Sequence, residues 1–93
     1  MIDQLFGLPV PITPGVVFVD VWNMRATVAQ FYALPDGSIG RRYAINGEDL
    51  AEDAAQAVND QGGALNVSGL YHCPPELAAR AQWDDSPQEE TQP

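Results

Sequence analysis

Residues 46–63, NGEDLAEDAAQAVNDQGG, decide the fold, because their apolar and acidic side chains recur at helical spacing. At about 100° per residue, one side of such a helix gathers Leu50, Ala51, Ala54, Ala57 and Val58. The acidic residues gather on the opposite side, as Glu48, Asp49, Glu52, Asp53 and Asp60. The inner side is mostly alanine, and small side chains let a helix lie close to a sheet. The stretch therefore predicts one amphipathic helix with its carboxylates in water and its apolar side on strands.

The two ends of this helix carry their own signals. Asn46 is a predicted N-cap, and Asp49 three residues later makes a capping-box-like pair with it. Acidic residues in the first turn also suit the positive end of the helix dipole. Gly62 and Gly63 can end the helix, since glycine readily adopts the left-handed conformation found there.

Three strands are predicted before the helix. Residues 16–23, VVFVDVWN, are β-branched and aromatic, and residues 25–34 and 38–45 follow with similar character. The sequence PDG at 35–37 predicts a tight turn, in which Asp36 bonds back to the backbone and Gly37 takes a positive φ. These strands are expected to form an antiparallel meander.

Alternation along the first strand separates two faces of the sheet. Val17, Val19 and Val21 fall on one face, and Phe18, Asp20 and Trp22 fall on the other. An aspartate in the middle of a strand predicts that its face is at least partly wet. With one main helix for a four-stranded sheet, we expect the second face to be covered by the N-terminal segment and the last helix, or by a partner.

A fourth strand over residues 64–72 and a short helix over 74–83 complete the domain, with Leu65, Val67 and Tyr71 on one face of the strand. The fold class predicted is α+β, a two-layer β-β-β-α-β domain over residues 16–83 whose antiparallel four-stranded sheet is packed by one main helix. Residues 1–15 are proline-rich and predicted to be extended. Residues 84–93 are acidic, polar and predicted to be disordered.

The charge balance limits the choice of partners. Thirteen acidic residues face four basic ones, and the formal net charge is −9. Such a field disfavours direct binding to nucleic acid or to an anionic membrane, and it favours a basic protein or nucleoprotein complex. Cys73 is the single cysteine, and no signal peptide or membrane span is recognisable. We therefore expect a cytoplasmic protein.

No pattern of catalytic or cofactor-binding residues is present. His72 and Cys73 are adjacent on a predicted strand and point to opposite sides, and no second histidine or cysteine completes a metal site. There is no phosphate-binding loop, and one histidine without a nucleophile elbow does not make a hydrolase triad. We expect a protein that is not an enzyme, with no cofactor, no catalytic residue and no metal ligand.

The acidic side of the helix is the most distinctive feature and predicts a partner-binding surface. Side chains three and four residues apart lie about 5–6 Å from each other at Cβ, which is similar to the spacing of phosphates along one nucleic-acid strand. Such a surface can occupy a groove that is built for a phosphate backbone. Trp22 and Tyr32 are candidate apolar anchors, because tryptophan and tyrosine dominate interface hot spots.

A single compact domain, a strong negative charge, no catalytic motif and the helix GEDLAEDAAQAVND together resemble the small acidic phage-encoded inhibitors of host defence, anti-CRISPR proteins among them. The resemblance implies a stoichiometric inhibitor that blocks a basic nucleic-acid-binding surface of a host defence complex. Two other functions fit the same residues. One is an immunity or antitoxin-like protein that neutralises a basic toxin, and the other is a protein-interaction module whose acidity is incidental.

Overall fold

A computed structural model describes residues 10–84 as one antiparallel sheet with two helices. The elements are β1 (Val17–Trp22), β2 (Arg25–Ala33), β3 (Ile39–Tyr43), α1 (Gly47–Asp60), β4 (Gly69–His72) and α2 (Pro75–Arg80). The strand order is β3-β2-β1-β4, and every neighbouring pair is antiparallel. The predicted α+β class, the β-β-β-α-β order and the short final helix are confirmed.

Two tight turns connect the first three strands. Between β1 and β2, Asn23 and Met24 form a two-residue loop with φ of 56° and 66°. This left-handed pair is the backbone geometry that fits the twist of a hairpin. Between β2 and β3, Asp36 Oδ1 accepts hydrogen bonds from the Ser38 amide at 3.0 Å and its hydroxyl at 2.6 Å. Gly37 has φ of 92°, so the predicted PDG turn is confirmed.

The main core lies between α1 and the sheet. Its buried side chains come from α1, from three strands, from the segment after β3 and from α2, namely Val19, Val21, Ala26, Val28, Ala44, Leu50, Ala54, Val58, Tyr71 and Leu77. The predicted inner side of the helix is therefore confirmed, with one exception. Ala51 is exposed, because it lies at the margin of the inner side, where the helix faces a groove instead of a strand.

The second face of the sheet carries a smaller core. The rings of Phe18 and Phe31 stack with their centroids 4.2 Å apart, and Val10, Val16 and Leu70 pack against this pair. The expectation that this face is at least partly wet is confirmed, because Trp22 is 71 % and Tyr43 50 % exposed on it, although Asp20 itself is only 6 % exposed. A buried carboxylate is tolerated here because β3 supplies partners for it.

The N-terminus of α1 differs from the predicted capping box. Asn46 precedes the helix but makes no side-chain cap. Its side-chain Nδ2 donates to the Arg80 backbone carbonyl at 3.0 Å, and its Oδ1 accepts from the Gln82 backbone N–H at 2.9 Å. Asn46 therefore ties the start of α1 to the chain at the end of α2. At the other end, Gly62 has φ of 84° and the Gly63 amide bonds to the Val58 carbonyl, as glycines predict after a helix.

The fourth strand and the last helix are shorter than predicted. Residues 64–68 form turns, with the Val67 amide bonded to the Ala64 carbonyl at 3.2 Å, so the alternation of Leu65 and Val67 was not a strand pattern. Leu65 instead packs on the main core from a loop. Helix α2 ends at Arg80 and packs through Leu77 on the same core, on the α1 side of the sheet.

Two predicted segments lie mostly outside the described residues. The proline-rich segment 1–15 is described only from Val10 onward, and the tail 84–93 only at Asp84. The order or disorder of their remaining residues stays a prediction.

Candidate functional site

The acidic face of α1 consists of Glu48, Asp49, Glu52, Asp53 and Asp60, and all five side chains are exposed. At 100° per residue they fall within about 140° of arc, on the side opposite to the buried residues of the helix. Four of them lie in the first two turns at spacings of three and four, so neighbouring carboxylates repel each other in the free protein. The helix therefore presents a dense, rigidly held array of negative charge.

Few described cations neutralise this face. Arg80 Nη1 lies 2.8 Å from Asp53 Oδ2, with about half of each side chain in water. Such an exposed pair contributes about 0–1 kcal/mol and exchanges readily for a partner's cation. Arg41 pairs with Asp20, on the other face of the sheet, and Arg42 donates to Gln30 Oε1 at 3.0 and 2.7 Å. Arg41 and Arg42 therefore lie on opposite sides of β3.

Beside the first turns of α1 lies an open groove of about 840 Å³, here named the hairpin groove. It is bounded by the β1–β2 turn, the start of β2, the segment after β3 and the N-terminal half of α1. Its wall includes four large apolar side chains that are half or more exposed, Trp22, Met24, Tyr43 and Ile45. Glu48 and Asp49 of the acidic face line the same groove.

The buried charge at one wall of the groove is fully satisfied. Arg41 Nη1 lies 2.6 Å from Asp20 Oδ2, and the Tyr43 hydroxyl donates to the same oxygen at 2.9 Å. The guanidinium also lies 5.8 Å from the centroid of the Phe18 ring. The hydrogen bond that Arg41 donates to Asp20 raises the pKa of Arg41, and burial together with the same carboxylate raises the pKa of Tyr43. This cluster therefore fixes the wall of the groove and offers no free acid or base.

The structure separates the two predicted apolar anchors. Trp22 stands at the tip of β1 and is 71 % exposed in the hairpin groove. Tyr32 is half-buried near the other end of β2, on the α1 face of the sheet, where the Arg42 guanidinium lies 5.9 Å from its ring centroid. Trp22 stays close to the acidic face, whereas Tyr32 is not brought to the groove.

Three apolar residues of the groove, Met24, Tyr43 and Ile45, were missed by sequence reasoning. Met24 occupies a hairpin turn where glycine is usual, and an apolar residue at such a position was the available signal. Ile45 was assigned to the third strand, which ends at Tyr43 in the structure. The chain leaves the sheet there to enter α1, and this turn exposes the side chain.

The neighbouring His72 and Cys73 do not form a reactive pair. Burial, with a smaller effect of Glu76, raises the pKa of the Cys73 thiol to about 11. The His72 backbone is held by Gln61, whose Nε2 donates to the carbonyl at 2.6 Å and whose Oε1 accepts from the amide at 3.0 Å. Within residues 10–84, no cluster of three or more His, Cys, Asp or Glu side chains is placed to hold a metal ion.

The raised pKa predicts that the Cys73 thiol reacts slowly with alkylating reagents. At pH 7 we expect iodoacetamide to modify the native protein at least about tenfold more slowly than the urea-unfolded chain, because little thiolate is present. The native rate should climb up to about pH 11. Because the folded state keeps this proton longer than the unfolded chain, its contribution to stability is complete below about pH 9 and is lost as the pH rises to about 11. Equal rates for native and unfolded protein at pH 7 would contradict the assignment.

None of the helices in the described part of the chain is long and apolar enough to cross a membrane. Comparison with known proteins found no matching family model, no matching curated protein and no matching solved structure.

Proposed function

We propose that this protein is a non-catalytic inhibitor that binds a basic protein or nucleoprotein complex in the cytoplasm through the acidic face of α1. By occupying a surface that otherwise receives nucleic acid, it prevents that binding. The observation that carries the proposal is the exposure of five carboxylates on one side of a helix whose opposite side is buried in the core. The resemblance to phage-encoded anti-CRISPR proteins supports the same mechanism.

The geometry suits recognition of an arginine-rich or lysine-rich groove. The carboxylates are spaced by the helix and not by a loop, so little backbone order is lost when a partner binds. A net charge of −9 attracts a cationic partner over a distance of about one Debye length, and such steering raises association rates by about 10- to 1,000-fold. Binding should therefore weaken with salt, mainly through its association rate.

Reversal of two charges tests the proposal. We expect the double variant Glu52→Lys/Asp53→Lys to fold, because both positions are exposed and the lost pair with Arg80 contributes at most about 1 kcal/mol. Tagged wild-type protein should capture basic nucleic-acid-binding proteins from nuclease-treated lysate, and added duplex DNA should compete with them. The double variant should capture at least about tenfold less, since two attractions become repulsions.

A charge-matched control separates the position of the charges from their number. Glu76→Lys/Asp84→Lys reverses two exposed carboxylates outside α1, and each pair of reversals changes the net charge from −9 to −5. Capture by this control should stay close to that of the wild type. If both double variants lose capture equally, or if the α1 variant still captures the same proteins at physiological salt, the acidic face is not the binding site.

A further inference from the structure

The hairpin groove gathers four of the seven large apolar side chains that are exposed in the described part of the chain. Trp22, Met24, Tyr43 and Ile45 come from two stretches of the chain about 20 residues apart, 22–24 and 43–45, yet all four line this one groove. Scattered single apolar residues are ordinary on a protein surface, but several gathered in one concave place mark a binding site. Three of them, Trp22, Met24 and Ile45, are more than 60 % exposed.

Met24 lies in the groove at a cost to the fold. Its φ of 66° is in the left-handed region, where a Cβ atom crowds the backbone and where glycine is favoured in hairpin turns. Its side chain packs into neither of the two buried clusters. A flexible thioether held in a strained turn and projecting into solvent gains nothing for stability, which is consistent with a role in contact with another molecule.

The charges around the groove favour a cation. Glu48 and Asp49 contribute two negative charges, Arg25 contributes one positive charge, and Asp20 is already paired with Arg41. The N-terminus of α1 adds roughly half a positive charge, which offsets only part of the two carboxylates. The lining is therefore net negative beside an apolar surface, and the remainder of the acidic face continues from it along the helix.

We propose that the hairpin groove seats a segment of the cationic partner in which a large apolar side chain stands next to arginine or lysine. The apolar side chain packs on Trp22, Met24 and Ile45, and the cation meets Glu48 and Asp49. This inference rests on the proposed function, because it assigns an apolar anchor to the partner that the acidic face attracts. A second copy of this chain is a poor occupant, since two molecules of net charge −9 repel each other.

Defined peptides test the groove directly. The probe is a short synthetic peptide with alternating leucine and arginine, added to isotope-labelled protein and followed by NMR. We expect it to shift the Trp22 indole signal and the amide signals of Met24, Ile45 and Glu48. Replacing its leucines by serine, or its arginines by glutamate, should weaken binding by about tenfold or more, because each change removes one of the two contacts.

Matched variants of the protein locate the apolar contact. Ile45→Ser should weaken peptide binding by about tenfold, whereas Ile12→Ser, outside the groove, should leave it unchanged. Both isoleucines are 63 % exposed, so neither change opens a core. Met24→Gly should raise the melting temperature by relieving the turn and should still weaken the peptide several-fold. A purely structural role for Met24 predicts the gain in stability without the loss of binding.

Each contrary result has one meaning. If the serine peptide binds as well as the leucine peptide, or if Ile45→Ser and Ile12→Ser have the same effect on peptide binding, the groove is not an apolar binding site. Neither result tests whether the acidic face binds the partner. If the free protein self-associates in sedimentation and Ile45→Ser abolishes this, the groove seats a second copy and the inference is overturned. If peptide binding in the groove holds but lysate capture survives Glu52→Lys/Asp53→Lys, the proposed function fails separately.

Discussion

Replacing Phe18 with alanine is expected to lower the free energy of unfolding by about 3–5 kcal/mol. Phe18 is fully buried, stacks on Phe31 and lies beneath the Arg41 guanidinium. The substitution removes this stacking and leaves a cavity between the sheet and the residues that cover its second face. Because small domains have only about 5–15 kcal/mol of stability in total, this loss is a large fraction of it and should clearly lower the urea concentration at which the variant unfolds. Urea titration followed by circular dichroism measures the change.

Trp22→Ala is the matched control for this prediction. Trp22 is an aromatic residue on the same strand and the same face, but it is 71 % exposed. Its removal takes little area out of the core, so we expect a loss below about 1 kcal/mol. Equal losses for the two variants would mean that the second face is not covered as the structure describes.

Asp20→Ala is expected to lower the free energy of unfolding by about 2 kcal/mol. The carboxylate accepts hydrogen bonds from Arg41 and from the Tyr43 hydroxyl, and the substitution leaves both donors without this acceptor. The loss is smaller than for a fully buried ion pair, because the Arg41 side chain is 43 % exposed and water can partly replace the carboxylate. Thermal or urea unfolding near pH 7 gives the value.

Asp36→Ala controls for the removal of a carboxylate. Asp36 also accepts two hydrogen bonds, both from Ser38, but it lies in an exposed turn. Its replacement should change stability far less than Asp20→Ala. If Asp20→Ala unfolds at the same urea concentration as the wild type, the buried cluster with Arg41 and Tyr43 does not stabilise the sheet.

The sequence predicted the architecture well wherever a regular spacing of apolar and polar side chains along the chain determines it. The buried and exposed sides of α1 follow from helical spacing alone, and only Ala51, at the margin of the inner side, was placed wrongly. The PDG turn was predictable because proline, aspartate and glycine act on their own backbone. The length of β4 was not, because Leu65 and Val67 alternate as a strand would but lie in a loop.

Features that depend on distant residues could not be read from a local pattern. An aspartate in the middle of a strand indicates a solvent-exposed position unless a partner for its charge is known. The partner of Asp20 is Arg41, which is 21 residues away in the sequence and lies on a non-adjacent strand. The Asn46 side chain likewise bonds to residues around 80, which no capping rule could anticipate. For the site, the five acidic residues and Trp22 were predicted, whereas the groove depends on where the chain leaves β3.

The acidic face of α1 is the centre of this account, and carboxylate footprinting of the captured complex tests it most directly. A carbodiimide with an amine modifies exposed carboxylates, and mass spectrometry compares each site in the free and the bound protein. We predict that Glu48, Asp49, Glu52 and Asp53 are protected in the complex while Glu76 and Asp84 are modified as before. Unchanged modification of the α1 carboxylates in a saturated complex would contradict the account.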